Sequence, residues 1–353
     1  MRSNANKNII YSIILLMLVA IVYLYRQNQE KPVEKIVEIK TGKVTLAGNT
    51  MGTSYRIVYL DNQERDFKNE IDSILVLFNQ SLSTYIPDSE LSVFNKSDSL
   101  VFELPYFLPV LEASKLIYEK TSGAFDPTVG PLVNLWGFGP EGPHLKDSIN
   151  ISNLLPLVGF NNVEFNGEMV KKLKSGIYLD FSAVAKGYGV DVISDFLISK
   201  GIENLLVEIG GELFAKGVNE NGELWKIGVN RPEDLGRADE LYSIIALDNK
   251  GMATSGNYRN YYEAGGIKIS HTIDPFTGKP VRHGLLSATV LAADCMTADA
   301  IATALMVMGT ESAIALQDKE KDFEIFLIYN DDAGEMQSFA SEGLKPFLSF
   351  PHE

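Results

Sequence analysis

The pattern of apolar and polar residues divides the chain into strand-like and helix-like stretches. A strand-like run covers residues 44–60, and apolar residues at helical spacing predict helices over 67–81 and 104–119. The later pattern predicts strands over 176–180, 204–209, 224–229 and 286–292, a strand ending near 247, and helices starting near 182 and covering 297–308. Because these elements alternate irregularly, the pattern favours an α+β fold over a regular doubly wound sheet.

Two stretches contain many residues that interrupt regular structure. Residues 125–143 are rich in Gly and Pro, and residues 253–266 are rich in Gly, Asn and Tyr. Both are predicted to be loops without regular structure. Gly309 directly follows the last predicted helix, where glycine is typical of a C-terminal end.

An apolar run without charged residues occupies positions 9–25, flanked by Lys7 and Arg26. About 17 residues is the lower end of the length that spans a membrane. No small-residue cleavage site follows. A buried core helix is the alternative, but the run is apolar on all sides and a charged stretch follows it. We therefore expect a signal anchor over residues 1–26, a charged tether over 27–40 and a folded domain over 41–353. The flanking charges do not decide the orientation of the anchor.

Composition narrows the classes of function. The 353 residues include 31 Lys and Arg against 46 Asp and Glu, a net charge of −15, so we expect no nucleic-acid partner. The single cysteine, Cys295, excludes an intramolecular disulfide, a Cys-rich zinc site and an iron–sulfur cluster. Only four histidines are present, which argues against a His-rich metal site. An anionic ligand of so acidic a protein would need a hard metal ion.

One pair of residues on the last predicted helix has the chemistry of a metal site. Asp299 and Thr303 lie four positions apart and therefore on one face. A carboxylate and a hydroxyl are hard ligands suited to Mg²⁺ on a pyrophosphate. Without further context the structural interpretation is the commoner one, because such an Asp interacts with the helix dipole and such a Thr bonds its own backbone.

A second cluster, DFSAVAKG at residues 180–187, lies at a predicted strand-to-helix turn. Ser182 is a candidate N-cap there, and free backbone groups at such a turn can hold an anion or a metal ion. A capped turn with a solvated Lys186 is the structural alternative.

The third cluster, SHTIDPFTGKP at residues 270–280, contains consecutive tight turns. His271 precedes them as a candidate base or phosphate donor, although a single His is more often structural. The Thr-Gly-Lys string lacks the spacing of a P-loop, and Gly210-Gly211 lacks the pattern of a dinucleotide-binding loop.

Taken together, these motifs resemble the ApbE family of FAD:protein FMN transferases. The matching segments are residues 50–53, 82–85, 122–133, 135–139, 180–187, 210–211, 254–259, 271–280 and 298–299. They occur in order over nearly the whole body, from about residue 44 to 309. The resemblance implies an α+β, T-fold-like, two-lobed body behind an N-terminal membrane-anchor helix.

The resemblance also implies an activity. Members transfer FMN from FAD to a threonine hydroxyl of an acceptor protein in a Mg²⁺-dependent reaction that leaves a phosphoester bond and releases AMP. The implied acceptors are subunits of Na⁺-translocating NADH:quinone reductase or of Rnf-type redox complexes. The implied location is the inner (cytoplasmic) membrane, with the catalytic domain on the periplasmic or extracytoplasmic side. Two alternatives stay open: a Mg²⁺-dependent FAD pyrophosphatase that gives FMN and AMP, and a non-catalytic flavin-binding protein.

The resemblance carries residue roles by motif position. The implied FAD contacts are Met51, Tyr85, Ala124, Phe125, Asp126, Asp180, Lys186 and Ile273. The Ala183 carbonyl, Asp299 and Thr303 would hold Mg²⁺, and the candidate catalytic residues are Asp299 and His271, the latter near the reacting phosphate. Some members carry a carboxylate directly before that threonine. This chain has Ala302 there, so water or FAD phosphates would complete the coordination.

Overall fold

The structure is a computed structural model that describes residue 17 and residues 42–140, 151–232, 240–257, 261–264 and 267–351. Gly42–Glu353 forms one compact unit. The predicted anchor and tether lie outside the described residues, apart from Met17. Within the described ranges, no helix has the length and apolar character needed to cross a membrane.

Strands dominate the described body. They are β1 (Gly42–Thr50), β2 (Thr53–Asp61), β3 (Ser99–Val101), β4 (Val163–Phe165), β5 (Met169–Lys172), β6 (Asn204–Ile209), β7 (Glu212–Lys216), β8 (Trp225–Asn230), β9 (Leu241–Leu247), β10 (Lys250–Gly256), β11 (Tyr261–Ala264), β12 (Ile267–Ser270), β13 (Leu285–Ala292), β14 (Glu324–Asn330), β15 (Met336–Ala340) and β16 (Leu348–Ser349). In the described part of the chain, eight of them form one main sheet in the order β1-β2-β6-β7-β10-β13-β14-β15. Every neighbouring pair in it is antiparallel. The remaining strands form small sheets, β16-β9-β8, β3-β5-β4 and β11-β12.

Helices connect and cover these strands. They are α1 (Lys68–Leu82), α2 (Glu90–Lys96), α3 (Phe107–Lys120), α4 (Gly130–Leu135), α5 (Ile151–Leu154), α6 (Ala185–Ser199), α7 (Cys295–Met308) and α8 (Thr310–Lys319). Short 3₁₀ helices cover Pro127–Val129, Leu155–Leu157, Phe160–Asn162 and Lys345–Phe347. Mixed helices and antiparallel strands confirm the predicted α+β class.

The two faces of the main sheet pack against different partners. Alternate residues of β6, such as Val207 and Ile209, join the apolar core on the side of α1 and α6. Residues that point to the other face of the main sheet, such as Val58 of β2, pack with Trp225 and Ile245 of the small β8–β9–β16 sheet. The main sheet is thus a middle layer, with helices on one side and a second sheet on the other.

Most predicted elements agree with the structure. The predicted run over 44–60 is the hairpin of β1 and β2, whose turn residues Met51 and Gly52 both have positive φ, 50° and 71°. The predicted strand over 204–209 has the bounds of β6. The last predicted helix begins slightly earlier than expected, as α7, and Gly309 ends it with a φ of 78°.

Three predicted stretches of strand or loop differ from the structure. Residues 176–180 form no strand, because their backbone hydrogen bonds go to groups outside any strand. The Leu179 N–H donates to the Asn95 side chain, and the Asp180 N–H donates to the Pro127 carbonyl. Residues 125–143 include a 3₁₀ helix and α4, since Pro127 and Pro131 occupy first-turn positions, where proline is tolerated. Residues 253–266 include most of β10 and all of β11, because pairing with neighbouring strands overrides weak strand propensity.

Candidate functional site

A cleft of about 1040 Å³ lies where the N-terminal turns of α6 and α7 meet the β6–β7 turn of the main sheet. Most residues singled out in the sequence line it: Tyr85, Ala124, Phe125, Asp126, Asp180, Ala183, Lys186, His271, Ile273, Asp299 and Thr303. Met51 does not line this cleft. Its side chain packs against α6, so that a Cβ on Gly189 would come within 2.6 Å of the Met51 methyl carbon.

Glycine at position 187 allows α6 and α7 to approach closely. A Cβ there would lie 2.3 Å from the Cys295 carbonyl oxygen. Because the helices are this close, the Gly187 N–H can donate to Asp299 Oδ2, at 3.0 Å. Asp191 of α6 also accepts from the first N–H groups of α7, those of Cys295 at 2.8 Å and Met296 at 2.7 Å. These contacts hold the α6 and α7 turns, and hence Asp299, at a fixed place in the cleft wall.

The predicted N-cap role of Ser182 is wrong. Helix α6 begins after Val184 without a side-chain cap. Ser182 instead donates its hydroxyl and its backbone N–H to Asp180 Oδ1, at 2.5 and 2.8 Å. The turn is therefore closed by Asp180, which keeps this carboxylate on the cleft wall.

Three charged side chains meet at the inner end of the cleft. Lys186 Nζ lies 2.6 Å from Glu212 Oε1 and 3.9 Å from Asp299 Oδ1. Both carboxylates are buried, whereas the lysine is partly exposed to the cleft. The interpretation of Lys186 as a solvated side chain is therefore wrong: it is held between two buried anions. We call Lys186, Glu212 and Asp299 the charged triad.

Burial and mutual repulsion shift the titration of this charged triad. Burial raises the pKa of Glu212 to about 7; Lys186 opposes this shift and Asp299 adds to it. Burial likewise raises the pKa of Asp299, against the attraction of Lys186 and the Gly187 N–H. Although burial disfavours a charged ammonium, the two carboxylates raise the pKa of Lys186.

The main sheet opens beside the charged triad. Strand β7 pairs with β10 only as far as Met252, whereas β10 continues to Gly256. Gly210 and Gly211 form the turn before β7 with positive φ values of 64° and 105°. Residues 254–256 of β10, which pair with β13 but not with β7, line the cleft together with this turn. A ligand can therefore reach the backbone of both strands.

The cleft lining also includes a further buried carboxylate and an exposed aromatic ring. Asp126 Oδ1 accepts from the Thr128 hydroxyl at 2.6 Å and from its N–H at 2.8 Å. Burial nevertheless raises the pKa of Asp126 to about 6. Tyr85 is 67% exposed beside the cleft, a position open to stacking with a planar ring. His271 lines the same cleft, with its ring centroid 6.3 Å from that of Phe138.

The donor chemistry at the inner end fits a hard cation. The residues that the structure describes contain no group of three His, Cys, Asp or Glu side chains suited to a metal ion. The predicted Mg²⁺ ligands do not require such a group. They combine one carboxylate, that of Asp299, with the Thr303 hydroxyl and the Ala183 carbonyl, and all three residues line the cleft. Glu212 Oε2 is buried without a hydrogen-bond partner among the described residues, so a cation here would also meet an unused oxygen. Ala302 is fully buried in the core.

Sequence reasoning missed several residues of the cleft. Glu212 directly follows Gly210-Gly211, and that position was the available signal. The more exposed part of the lining, which we call the outer end, consists of Arg56, Glu208 and strand β8. Strand β8 belongs to none of the recognised motifs. Only the fold brings β8 to the cleft that the charged triad lines.

Comparisons with known proteins agree with this architecture. The model of the ApbE family matches residues 51–327. A FAD:protein FMN transferase of Vibrio cholerae is 41% identical over 329 residues, covering 91% of this chain and 95% of the relative. The enzyme of that name from Escherichia coli K12 is 36% identical, covering 87% and 90% of the two chains.

Solved structures give the same result. The flavin transferase ApbE from Vibrio cholerae superimposes with a TM-score of 0.79 at 39% identity, covering 87% of this chain and 99% of that one. The Pseudomonas stutzeri flavinyl transferase ApbE in its apo form gives 0.75 at 32% identity, covering 87% and 97%.

Proposed function

The chain belongs to the ApbE family, and we propose that it is an FAD:protein FMN transferase. In this reaction a threonine hydroxyl of an acceptor protein attacks the FMN phosphorus of FAD. The bond from that phosphorus to the oxygen bridging the two phosphates breaks, and AMP leaves. The observation that carries the proposal is the cleft itself, which joins the charged triad to a wall bearing Tyr85 and His271.

The charged triad suits a pyrophosphate. The Lys186 ammonium is kept protonated by two buried carboxylates and reaches the cleft, where it can pair with a phosphate oxygen. Asp299, Thr303 and the Ala183 carbonyl would hold Mg²⁺, and a bound Mg²⁺ offsets phosphate charge and stabilises the leaving AMP. The unused Glu212 oxygen supports the same assignment.

His271 is the proposed proton acceptor for the threonine hydroxyl. It lines the cleft on the segment after β12, and Ile273 two residues later lines it as well. A neutral imidazole can take a proton at physiological pH. Tyr85 and Phe125 provide aromatic surface for a flavin or adenine ring. Met51 stays a predicted FAD contact outside this cleft wall.

We further propose an anchored, extracytoplasmic enzyme. The apolar run over residues 9–25 would hold the chain in the inner membrane, with the body on the periplasmic side. The proposed acceptors are flavin-carrying subunits of Na⁺-translocating NADH:quinone reductase or Rnf-type complexes. A protease-accessibility assay on intact and permeabilised cells tests the orientation; digestion of the body only after permeabilisation of the inner membrane would contradict it.

A combined mass and product assay tests the activity. The full-length chain is incubated with FAD, Mg²⁺ and an acceptor subunit, and both acceptor mass and AMP are followed. We expect an FMN-sized mass gain that disappears with a chelator. AMP release without labelling of either of two acceptors would favour the FAD pyrophosphatase, and FAD retention without AMP would favour a flavin-binding protein. His271→Ala should slow labelling, and unchanged labelling would remove its role as base.

A further inference from the structure

Strand β8 contributes consecutive residues to the cleft. Lys226, Ile227, Gly228, Val229 and Asn230 all line it. Neighbouring side chains of a strand point to opposite faces, so a strand that presents a face would contribute alternate residues. An unbroken run means that the backbone edge of β8 faces the cleft.

That edge carries no partner strand in the described part of the chain. The small sheet has the order β16-β9-β8, and among the strands that the structure describes β8 pairs only with β9. An edge strand offers a row of backbone N–H and C=O groups to another extended segment. The main sheet also ends in edge strands, β1 and β15, but neither contributes a residue to the cleft. Together with the end of β10 that lacks a β7 partner, the β8 edge is therefore one of two described stretches of open sheet edge that line the cleft, and the longer of the two.

Charge beside this edge favours an acidic ligand. Arg56 and Lys226 are both exposed and line the cleft. Lys226 pairs with Glu223 at 3.0 Å in an ion pair that is 56% exposed on both sides, a contact weak enough to exchange. Glu208 faces Arg56 across β2 and β6 and partly offsets the pair. The rest of the lining has Asp126, Asp180, Glu212 and Asp299 against Lys186, so the β8 edge is the less acidic part of the cleft.

We propose that an extended, acidic segment of the acceptor protein pairs with the edge of β8 as an added strand and thereby brings its threonine to the charged triad. This inference rests on the proposed function, since it assigns the binding site of the second substrate. Main-chain hydrogen bonds to β8 fix the backbone of the segment, while Arg56 and Lys226 attract its carboxylates. The edge and the charged triad line one continuous cleft, so a segment bound at one end extends toward the other.

Backbone N-methylation of a peptide tests the pairing directly. The probe is a short synthetic peptide spanning the FMN-accepting threonine of the Rnf-type flavin subunit, titrated into the full-length, FAD-loaded protein. Two versions carry N-methyl groups on alternate residues, one on odd and one on even positions. In an added strand only alternate N–H groups face the neighbour. One version should therefore bind about tenfold more weakly, and the other should bind like the unmodified peptide. Equal affinities, or equal losses in both, would overturn the proposal.

Protein variants separate this site from other uses of the edge. Lys226→Glu should weaken peptide binding and reduce its dependence on salt, whereas Lys171→Glu, an exposed strand lysine outside the cleft, should leave both unchanged. If Lys226→Glu instead alters the sedimentation of the protein without affecting peptide binding, the edge pairs with a second copy and the proposal fails. If it weakens FAD more than the peptide, the edge belongs to the nucleotide site and the proposal also fails.

The two proposals fail in different assays. If AMP is released and the acceptor is labelled, but both N-methylated peptides bind like the unmodified one, the proposed transferase stands and the proposed β8 site is wrong. A position-dependent effect on peptide binding without AMP release would keep the β8 site and remove the proposed transferase.

Discussion

The two ends of the cleft differ in the way they handle charge. At the inner end, Glu212 and Asp299 are buried around Lys186. At the outer end, Lys226 and Arg56 are exposed and their contacts are open to water. Buried charges are costly to desolvate and strongly destabilising when a partner is removed, whereas exposed pairs contribute little.

The difference matches the tasks that we assign to each end. A pyrophosphate needs charges held at fixed positions before it arrives, because preorganised groups need no rearrangement during the reaction. A protein acceptor has to bind and leave, and an exposed strand edge with weak ion pairs allows that exchange. Substitutions should therefore have large effects at the inner end and small ones at the outer end.

The largest effect is expected for Asp299→Ala. Loss of this carboxylate removes the charged ligand of the proposed Mg²⁺ site, and we expect FMN transfer to fall about a thousandfold, roughly 4 kcal/mol. Initial rates across a Mg²⁺ titration measure it. Asp318→Ala, an exposed helix residue, is the matched control. Activity within about tenfold of wild type would contradict the proposed metal site.

Lys186→Met is expected to destabilise the fold by about 3 kcal/mol at pH 8, because it leaves Glu212 and Asp299 buried without their cation. Both acids already have raised pKa values, so they can protonate and relieve the repulsion at low pH. The difference in unfolding free energy between Lys186→Met and wild type should therefore be smaller at pH 5.5 than at pH 8. Urea unfolding at both pH values measures this, with the exposed Lys319→Met as control. An equal loss at both pH values would contradict the electrostatic explanation.

Asp126→Asn tests a buried carboxylate that has no cation partner among the described residues. Burial raises the pKa of Asp126 to about 6 in the folded protein, so the folded state binds this proton more tightly than the unfolded state. The contribution of this proton to the free energy of unfolding is fully present below the pKa that Asp126 has in the unfolded chain, and it is lost as the pH rises through about 6. From pH 4 to pH 7, the variant should gain about 2 kcal/mol relative to wild type. A pH-independent difference in unfolding free energy of the FAD-free proteins would contradict this.

The smallest effect is expected for Arg56→Glu. An exposed charge beside the β8 edge should change the KM for the acceptor about threefold, since surface ion pairs contribute at most about 1 kcal/mol. The change should disappear in 0.5 M salt, where such interactions are screened over roughly 4 Å. Steady-state labelling at low and high salt measures it. An effect as large as that of Asp299→Ala would mean that the two ends of the cleft do not differ as we propose.

Strong local patterns made several parts of the fold predictable. Strand β6 alternates apolar residues toward the helices and has the bounds that the sequence predicted. Helix α7 was predicted from its length and from Gly309 at its end. Of the residues at the inner end of the cleft, Lys186 was found through a short strand-to-helix motif and Asp299 and Thr303 through their spacing on one helix face, both of which are local signals.

Contacts between distant segments were beyond such patterns. Residues 253–256 read as a loop but form a strand, because β13 supplies a pairing edge. Residues 176–180 read as a strand but find side-chain and loop partners instead. Glu212 has only its position after Gly210-Gly211 as a local signal and β8 has none, and the place of both in the cleft depends on sheet order.

By itself, the sequence determined the α+β class, the family motifs and the order in which they occur, since these depend on local periodicity and residue identity. Only the tertiary structure decided that Lys186, Glu212 and Asp299 meet, and that strand β8 lines the same cleft. Both outcomes depend on long-range packing: α6 meets α7 through Gly187, and the main sheet opens between β7 and β10. Burial fixes the charges at the inner end of the cleft, whereas the charges at the outer end are exposed. The extent of burial is a property of the assembled fold and not of any segment.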